Sequence, residues 1–384
     1  MFSLLKIVVS GYKLLKDDFT IDFVSKARVN STDNEVFEID KNLYVYNIIS
    51  FLGSNSSGKT TVLELISKVM SFMRTGRWVY EDFEFNKEKI KLHLEFYLDK
   101  TIYSYDCDII PLEGVIDLAI TFPYCNIENE KLKFNSYKTS YGKKYDRMSY
   151  IDDDKYATGI PDTSKLIFIC KDKISTYVMK PFSGVKTPYF LDFFRLLKVF
   201  DDELTSSIIQ LLDESIEYIK CNEDNTVAFK RYGNKELIVS RREMLSLLSN
   251  GTIKGVELYI RAAMTLHNGG MLIIDEIENC FHKNLVNNIM FLFMDKSINK
   301  NNAQLIFTTH YVEIIDILDR RDNINILHKL DCRIEIDNLY ESYGTRTELL
   351  KSKQFNNNTF NTLLNYDKLM KVKRLLKNEI SNND

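Results

Sequence analysis

Eight consecutive residues decide the fold of this chain: Gly53-Ser54-Asn55-Ser56-Ser57-Gly58-Lys59-Thr60. They match every fixed position of the phosphate-binding loop G-x-x-x-x-G-K-[ST]. A β-prone apolar run at 43–52 precedes them and a helix-like run at 61–70 follows, which is the context that this motif requires. The alternative is a chance glycine- and serine-rich loop, but the complete match and both flanks favour the phosphate loop.

The residue types in this loop point to phosphate chemistry. Glycines let the backbone approach phosphates closely, and the loop N–H groups and the helix N-terminus present partial positive charge to them. Lys59 is expected to reach the outer phosphates and the Thr60 hydroxyl to bind Mg²⁺. The predicted binding residues are Gly53, Ser54, Asn55, Ser56, Ser57, Gly58, Lys59, Thr60 and Thr61.

The composition is that of a globular protein. Of its 384 residues, 45% are hydrophobic and 27% are charged. This length is enough for one large hydrophobic core or for two domains. The net charge of −3 gives no bulk attraction to nucleic acid, so such binding would need a local patch. We expect no signal peptide and no membrane contact, since no run approaches the ~20 apolar residues of a membrane span. The six cysteines form no C-x-x-C pair and are expected to be reduced, which favours the cytoplasm.

Alternating apolar and polar residues predict β-strands on both sides of the loop. Residues 1–52 are expected to form strands joined by a turn around Gly11. Residues 88–125 are expected to form an antiparallel meander, with strand-like runs at 90–98, 101–105 and 115–120.

The rest of the chain is less regular before the α/β pattern returns. The polar residues 126–165 are predicted to form loops or a mobile insertion, and residues 226–240 a hairpin around Gly233. Between them an apolar stripe at helical spacing predicts core-packed helix over 189–220. Its members are Phe190, Phe193, Phe194, Leu197, Val199, Leu204, Ile208, Ile209, Leu212 and Ile216.

A second motif is the apolar run 271–274 followed by Asp275 and Glu276. It describes a buried strand that presents two carboxylates at its C-terminal edge, where ligands bind in parallel α/β sheets. Asp275 is placed to hold Mg²⁺, directly or through water, and Glu276 to orient and polarise an attacking water. An ordinary strand ending in a polar turn is the alternative, and the upstream phosphate loop favours the functional interpretation.

Two further motifs are weaker when taken alone. Residues 306–310 form a strand-like run that ends at His310, which could contact a γ-phosphate or the attacking water but could also be a helix-capping or core histidine. Ser249 and Gly251, in L-S-N-G before a helical run, form an anion-binding arrangement that is also a common turn. Arg241 and Arg242 precede this motif and suit phosphate contacts, although exposed arginines are usually solvated.

The motif order resembles that of the ABC-type ATPase heads. The chain is similar to the branch with structural-maintenance, RecF, Rad50 and OLD proteins, and most similar to AAA-15/AAA-21-type ATPases, many of which occur in bacterial anti-phage systems. Asn55 fits the G-x-N-x-S-G-K-[ST] form of that branch, and residues 275–279 with Phe281-His282 resemble its DEIE…LH run. The resemblance covers residues 1–75 and about 225–345.

This resemblance implies an α/β P-loop NTPase with an ABC-ATPase-like head, a mixed sheet flanked by helices, plus an inserted β-meander and helical subdomain. The predicted parts are 1–75 and 226–345 as the two halves of the head, 76–225 as the insertion, and 346–384 as a basic helix and tail. In that helix, 368–377, the apolar residues Leu369, Val372, Leu375 and Leu376 are expected to face inward, whereas contact of its lysines with acidic protein or nucleic acid is the alternative.

The resemblance also implies hydrolysis of ATP with Mg²⁺ at sites shared by two protomers. Ser249 and Gly251 would contact the γ-phosphate held by the partner subunit's Lys59, so that ATP links two chains into a homodimer or higher homo-oligomer. Catalytic roles fall to Glu276, His310 and Lys59, and metal binding to Thr60 and Asp275.

Some features of the family are missing from the sequence. The only Gln between the phosphate loop and the signature is Gln210, inside the predicted helix, so no Q-loop is identified, and Tyr12 is only a guess for a base-stacking aromatic. There are no heptads for a coiled coil. No convincing acidic cluster of a Toprim nuclease follows His310.

We therefore expect an ATP-gated sensor or scaffold for a separate effector in anti-phage defence. The alternatives are a RecF-like DNA-repair ATPase and an ATP-binding platform with little turnover.

Overall fold

The computed structural model describes residues 1–81, 84–111, 124–135, 149–150, 162–179, 193–279, 283–344, 350–356 and 370–376, and every structural statement below concerns these residues. Their strands are β1 Phe2–Ser10, β2 Phe19–Asp22, β3 Val36–Asp40, β4 Leu43–Tyr46, β5 Ile48–Leu52, β6 Ile90–Leu98, β7 Thr101–Ile110, β8 Asn126–Asn135, β9 Ser149–Tyr150, β10 Thr176–Met179, β11 Ile216–Cys221, β12 Thr226–Arg231, β13 Leu237–Ser240, β14 Met271–Ile274, β15 Gln304–Thr309, β16 Ile324–Leu330 and β17 Arg333–Asn338. The helices are α1 Lys59–Thr75, α2 Leu166–Cys170, α3 Asp202–Leu212, α4 Arg241–Leu247, α5 Asn250–Asn268, α6 Lys283–Met294, α7 Leu339–Tyr343 and α8 Lys351–Asn356, and a 3₁₀ helix spans Val312–Ile317.

A six-stranded sheet with the order β10-β14-β15-β5-β16-β17 forms the centre of the molecule, and we call it the core sheet. Its first five strands are parallel and β17 is antiparallel. Alternate residues of β5 face opposite sides: Ile49 and Phe51 pack into one hydrophobic core, and Ile48 and Leu52 into another. Because both faces are covered, the strand is apolar throughout, as is typical of parallel sheets.

A second six-stranded sheet, β2-β1-β6-β7-β8-β9, is antiparallel and packs against α1 on one side of the core sheet. Its strands confirm those predicted at 1–52, 90–98 and 101–105, whereas the predicted run at 115–120 lies outside the described residues. The predicted α/β architecture, with a mixed sheet flanked by helices and a meander, is confirmed.

Residues 126–135 form strand β8, so the prediction of loops is wrong for this part of 126–165. The reason is a bulge. Asn129 has a φ of 53°, and the pairing of β7 with β8 shifts register between Asp106 and Asp108. The extra residue separates the buried Ile127 and Leu132 by an odd number of positions and hides the period-2 pattern in the sequence.

A small sheet, β11-β12-β13, lies beside α3 and α4. The hairpin predicted at 226–240 is confirmed, and Gly233 occupies the left-handed region with a φ of 76°. The helix predicted over 189–220 is only partly correct, because α3 ends at Leu212 and Ile216 begins a strand that pairs with Arg231. Phe190 lies outside the described residues.

The predicted domain boundaries fall between paired strands. The antiparallel sheet joins β1 and β2 to β6 across the boundary at residue 75, and the core sheet joins β10 to β14 across the boundary at residue 225. The division into four parts stays a prediction. The antiparallel sheet contains strands from the first and second parts, and the core sheet contains strands from the first, second and third parts.

Residues 370–376 are helical, as predicted, but the inward orientation of their apolar side chains is wrong. Val372, Leu375 and Leu376 are 50–57% exposed. An apolar stripe is buried only where another element faces it, and a helical pattern alone does not supply that element. Leu369 and the helix ends at 368 and 377 lie outside the described residues. In the described part of the chain, no helix combines the length and apolarity needed to cross a membrane.

Candidate functional site

The candidate site lies at the carboxyl edge of the core sheet, where three neighbouring strands end. Leu52 of β5 pairs with Thr309 of β15, and Phe307 of β15 pairs with Ile274 of β14. The phosphate loop, the two acidic residues and His310 follow directly on these three strands. Parallel strands direct their carboxyl ends to one edge, which is where ligands bind in such sheets.

The phosphate loop has a shape that requires its two motif glycines. Gly58 has a φ of 102°, and a Cβ there would meet the Ile334 side chain at 2.5 Å. A Cβ on Gly53 would lie 2.6 Å from the Leu327 carbonyl oxygen. The loop therefore packs tightly on β16 and β17, while Asn55, Ser56 and Thr60 are exposed.

The N-terminus of α1 is suited to an anion. Gly58 offers no side-chain cap, and the first turn of this 17-residue helix holds no acidic residue. Among the described residues, the terminal N–H groups and the positive end of the helix dipole therefore have no side-chain cap. The hydroxyl of Ser57 is buried, and no described residue forms a hydrogen bond with it. Unsatisfied donors at a helix N-terminus fit the oxygens of a nucleotide phosphate.

Lys59 brings a buried positive charge into this loop. Its Nζ donates hydrogen bonds to the carbonyl oxygens of Gly53 and Ser54 at 2.8 and 2.9 Å. Burial lowers its pKa to about 8, while the neighbouring carboxylates of Glu276 and Asp275 oppose this shift. Negative charge from a bound phosphate would favour the protonated amine further.

The two predicted metal ligands contact each other. Thr60 Oγ1 donates to Asp275 Oδ2 at 2.7 Å, although the residues are 215 positions apart in sequence. A hydroxyl and a carboxylate are the oxygen donors that Mg²⁺ takes in nucleotide sites, together with phosphates and water. The described residues contain no group of three or more His, Cys, Asp and Glu that could hold a metal alone. The pair therefore fits a metal that shares its ligands with a bound nucleotide.

Glu276 is held in an unusual backbone conformation next to this pair. Its φ is 53°, in the left-handed region. Its N–H donates to Thr308 Oγ1 at 2.7 Å, and Asn279 Nδ2 donates to its Oε2 at 3.3 Å. Its side chain is 36% exposed, so that water can reach the carboxylate.

His310 lies beside Glu276. Its Nε2 is 3.6 Å from Glu276 Oε1, and its side chain is 31% exposed. Its backbone N–H donates to Glu278 Oε1 at 2.5 Å. It is not the cap of the following 3₁₀ helix, because that position belongs to Tyr311. These contacts favour a role of His310 in the candidate site over the two alternatives, a buried core histidine and a helix-capping histidine.

The signature residues lie at a different place on the surface. Ser249 is the N-cap of α5, and its Oγ accepts a hydrogen bond from Thr252 N at 3.0 Å. Ser249 and Gly251 are exposed. Among the described residues, no hydrogen bond joins either of them to the phosphate loop of the same chain. One chain therefore brings together Lys59, Thr60 and the acidic pair but not the signature.

Three other residues weighed in the sequence have local structural contacts. Gln210 Nε2 donates to Glu217 O at 2.8 Å and so ties α3 to β11. Tyr12 is fully buried against the edge of Trp78, which closes it to stacking on a base. The Arg241 guanidinium lies 5.5 Å from the Phe194 ring centroid, whereas Arg242 is exposed.

Sequence reasoning assigned no role to Thr308 and Glu278, although both contact the predicted site. Thr308 Oγ1 donates to Asp275 Oδ1 at 2.6 Å, and Glu278 fixes the backbone of His310. The register of β14 and β15, which places Thr308 beside the acidic pair, is visible only in the structure. A threonine at the end of an apolar strand otherwise reads as an ordinary β-former.

Comparisons with known proteins give one family match. Residues 190–316 match a domain model described as "AAA domain, putative AbiEii toxin, Type IV TA system". This range contains the signature, the acidic strand and His310. A comparison with curated proteins gives no match.

Three solved structures with similarity to this chain are an SMC head domain and two proteins described as parts of ABC transporters. The SMC head domain from Thermotoga maritima is 14% identical with a TM-score of 0.43, over 87% of this chain and 98% of that chain. CbiO1 from Clostridium perfringens, part of an ABC transporter complex, is 12% identical with a TM-score of 0.33, over 88% and 90%. The dimeric bacterial ABC transporter cassette MJ0796 is 14% identical with a TM-score of 0.32, over 88% and 99%. At this identity the residue roles rest on the geometry of this chain.

Proposed function

We propose that this protein binds and hydrolyses ATP with Mg²⁺ at a composite site formed by two copies of the chain. The observation that carries this proposal is the Thr60–Asp275 hydrogen bond of 2.7 Å. It joins the phosphate loop to the acidic strand at the point where a nucleotide-bound metal needs both groups. A chance glycine loop has no reason to meet a buried carboxylate at that point.

Each residue of the site has a separate task in this reaction. The α1 N-terminus, the loop N–H groups and Lys59 hold the phosphates by charge and hydrogen bonds. Mg²⁺, when bound through Thr60 and Asp275, neutralises charge on the phosphates. Glu276 orients a water and withdraws its proton, and the adjacent His310 donates a hydrogen bond to the transferred phosphate or the water. Phosphoryl transfer needs mainly such positioning and charge stabilisation.

The second copy completes the site with its signature. Ser249 and Gly251 are exposed at the start of a 19-residue helix whose first turn carries no acidic residue. This end can therefore approach a phosphate without charge repulsion. Ser249 and Gly251 of one chain would face the phosphate loop of the other, so that ATP is bound between them.

In the cell we propose a cytoplasmic, ATP-gated sensor or scaffold that controls a separate effector in anti-phage defence. The match of residues 190–316 to a domain described with the AbiEii toxin supports this role. The net charge of −3 does not favour DNA binding as the main activity.

The test compares the wild type with Glu276→Gln. We expect Glu276→Gln to lower ATP turnover by about 10²–10⁴-fold, because it removes the general base. It should retain bound ATP and increase the mass of the assembly in light scattering with Mg-ATP. Glu313→Gln, an exposed position in the 3₁₀ helix, is the matched control and should behave as wild type. Turnover by Glu276→Gln at the wild-type rate would show that another residue is the base.

A further inference from the structure

We propose that Thr308 is the positioning residue that fixes how both acidic residues are presented to Mg²⁺ and to water. This inference rests on the proposed Mg-ATP function and adds a residue to it. Thr308 contacts no nucleotide in this role. It acts through Asp275 and Glu276.

The Thr308 side chain is fully buried between the two acidic residues and has one contact with each. Its Oγ1 donates to Asp275 Oδ1 at 2.6 Å and accepts from Glu276 N at 2.7 Å. Its backbone carbonyl accepts from Ile277 N at 3.0 Å. The end of β15 thus holds the turn after β14 at three successive residues.

Hydrogen-bond chemistry fixes the direction of both side-chain contacts. A hydroxyl has one proton to donate and lone pairs to accept. An ionised Asp275 can only accept, and the Glu276 N–H can only donate. The single Thr308 proton is therefore committed to Asp275. Because threonine is β-branched and this one is buried, its hydroxyl has little freedom to turn elsewhere.

The contact with Asp275 leaves one carboxylate oxygen for a metal. Oδ1 is engaged by Thr308, and Oδ2 lies 2.7 Å from Thr60 Oγ1, the other metal residue. Mg²⁺ favours single carboxylate oxygens in an octahedral set with water, whereas Ca²⁺ readily takes both oxygens of one carboxylate. Thr308 therefore favours Mg²⁺ by keeping the second oxygen occupied.

The contact with Glu276 stabilises a conformation that non-glycine residues rarely adopt. The φ of 53° at Glu276 is strained, and it persists only where the surroundings hold it. The hydrogen bond from its N–H to Thr308 Oγ1 supplies part of that hold. Loss of the hydroxyl should let the turn relax and move the Glu276 carboxylate away from the water that it orients.

The test uses Thr308→Val, which keeps the shape and removes both hydrogen bonds, and Thr308→Ser, which keeps the hydroxyl. We expect Thr308→Val to lower kcat and the apparent Mg²⁺ affinity by roughly 10–100-fold, as for other residues that orient metal ligands. The readout apart from activity is binding of a fluorescent ATP analogue. Its affinity in EDTA should be unchanged, while its tightening by Mg²⁺ should be lost and its tightening by Ca²⁺ retained. Thr308→Ser should restore most of the Mg²⁺ effect.

The matched control is Thr205→Val in α3. This threonine is buried, its hydroxyl has no hydrogen-bond partner in the described part of the chain, and the variant should leave all readouts at wild-type values. Thr308→Val with wild-type kcat and metal dependence would overturn the inference, as would Thr308→Ser being equally impaired. If Thr308→Val does not fold, the comparison of Thr308→Ser with Thr308→Ala decides in the same way. A wild type that neither binds nor hydrolyses ATP would instead overturn the proposed function.

Discussion

The N-termini of helices α1 and α5 differ in how they satisfy their backbone donors. At α1, Gly58 gives no cap, and the phosphate loop, Lys59 and Thr60 surround the terminus. At α5, Ser249 caps the terminus through Thr252 N and the residues around it are exposed. The first end therefore has no side-chain cap, whereas the second has a capped donor and is exposed to solvent.

The difference between the two helix ends distinguishes nucleotide binding by one chain from the association of two chains. Under the proposed function, one chain would hold phosphates with α1 alone, because Lys59, Thr60 and Asp275 already lie together. At the α5 terminus, the Ser249 cap satisfies the N–H of Thr252 without a ligand. Only when two chains meet would both termini face one phosphate. Three predictions test this distinction, and they are given from the largest expected effect to the smallest.

The largest effect concerns mixing of two inactive variants. Lys59→Met should remove the positive charge that binds the phosphates. Gly251→Asp should place a negative charge next to the phosphate bound by the partner chain. Each variant should lower turnover by about 10²–10³-fold. The Gly251 position has room for a side chain, since its nearest neighbour to an added Cβ is Ser249 Oγ at 3.6 Å. An equal mixture should recover up to about a quarter of wild-type turnover, since half of the dimers gain one intact site. If the mixture stays inactive while both variants bind each other, the two termini do not share a site.

The second effect concerns pH and the α1 terminus. Burial lowers the pKa of Lys59 to about 8 from an ordinary 10.5. Between these values the unfolded chain binds the proton and the folded chain does not, so stability rises with pH in this window. Without nucleotide, the free energy of unfolding of the wild type relative to Lys59→Met should rise by up to about 3 kcal/mol from pH 8 to 10.5. Urea unfolding at several pH values measures this difference, and a constant difference would contradict the burial of the charge.

The smallest effect concerns the α5 cap. Ser249→Ala should lower the free energy of unfolding by about 1 kcal/mol, whereas Ser249→Gly should cost only a few tenths of that. Asp201→Ala, which removes the cap of α3, is the matched control and should cost a similar amount. Chemical denaturation checks these values. A Ser249→Ala variant as stable as wild type would show that the Ser249 hydroxyl is free of the cap in solution.

The phosphate loop and the acidic strand could be predicted from sequence because each is a contiguous motif whose flanks fix its structure. Gly58 needs its left-handed φ, and Asp275 ends a run that can only be a buried strand. Because β5, β14 and β15 are parallel, their carboxyl ends lie at the same edge of the core sheet. This part of the fold could be predicted because each motif fixes its own strand and the parallel topology then fixes where the motifs meet.

The remaining features depended on contacts between distant residues. The bulge at Asn129 hid β8, and Val372 is exposed because no described element covers it, which its own pattern does not reveal. Thr308 became part of the site through strand register, which places it beside Asp275. A pattern along one chain segment does not contain such information.

The ammonium group of Lys59 has three protons, and the loop carbonyls of Gly53 and Ser54 engage two of them. A phosphate oxygen can take the third while both loop contacts persist. Binding of a nucleotide would then add one hydrogen bond at Lys59 without breaking its two hydrogen bonds to the loop carbonyls. Lys59 therefore supports the loop from within, and under the proposed function we expect nucleotide to bind without refolding of the loop.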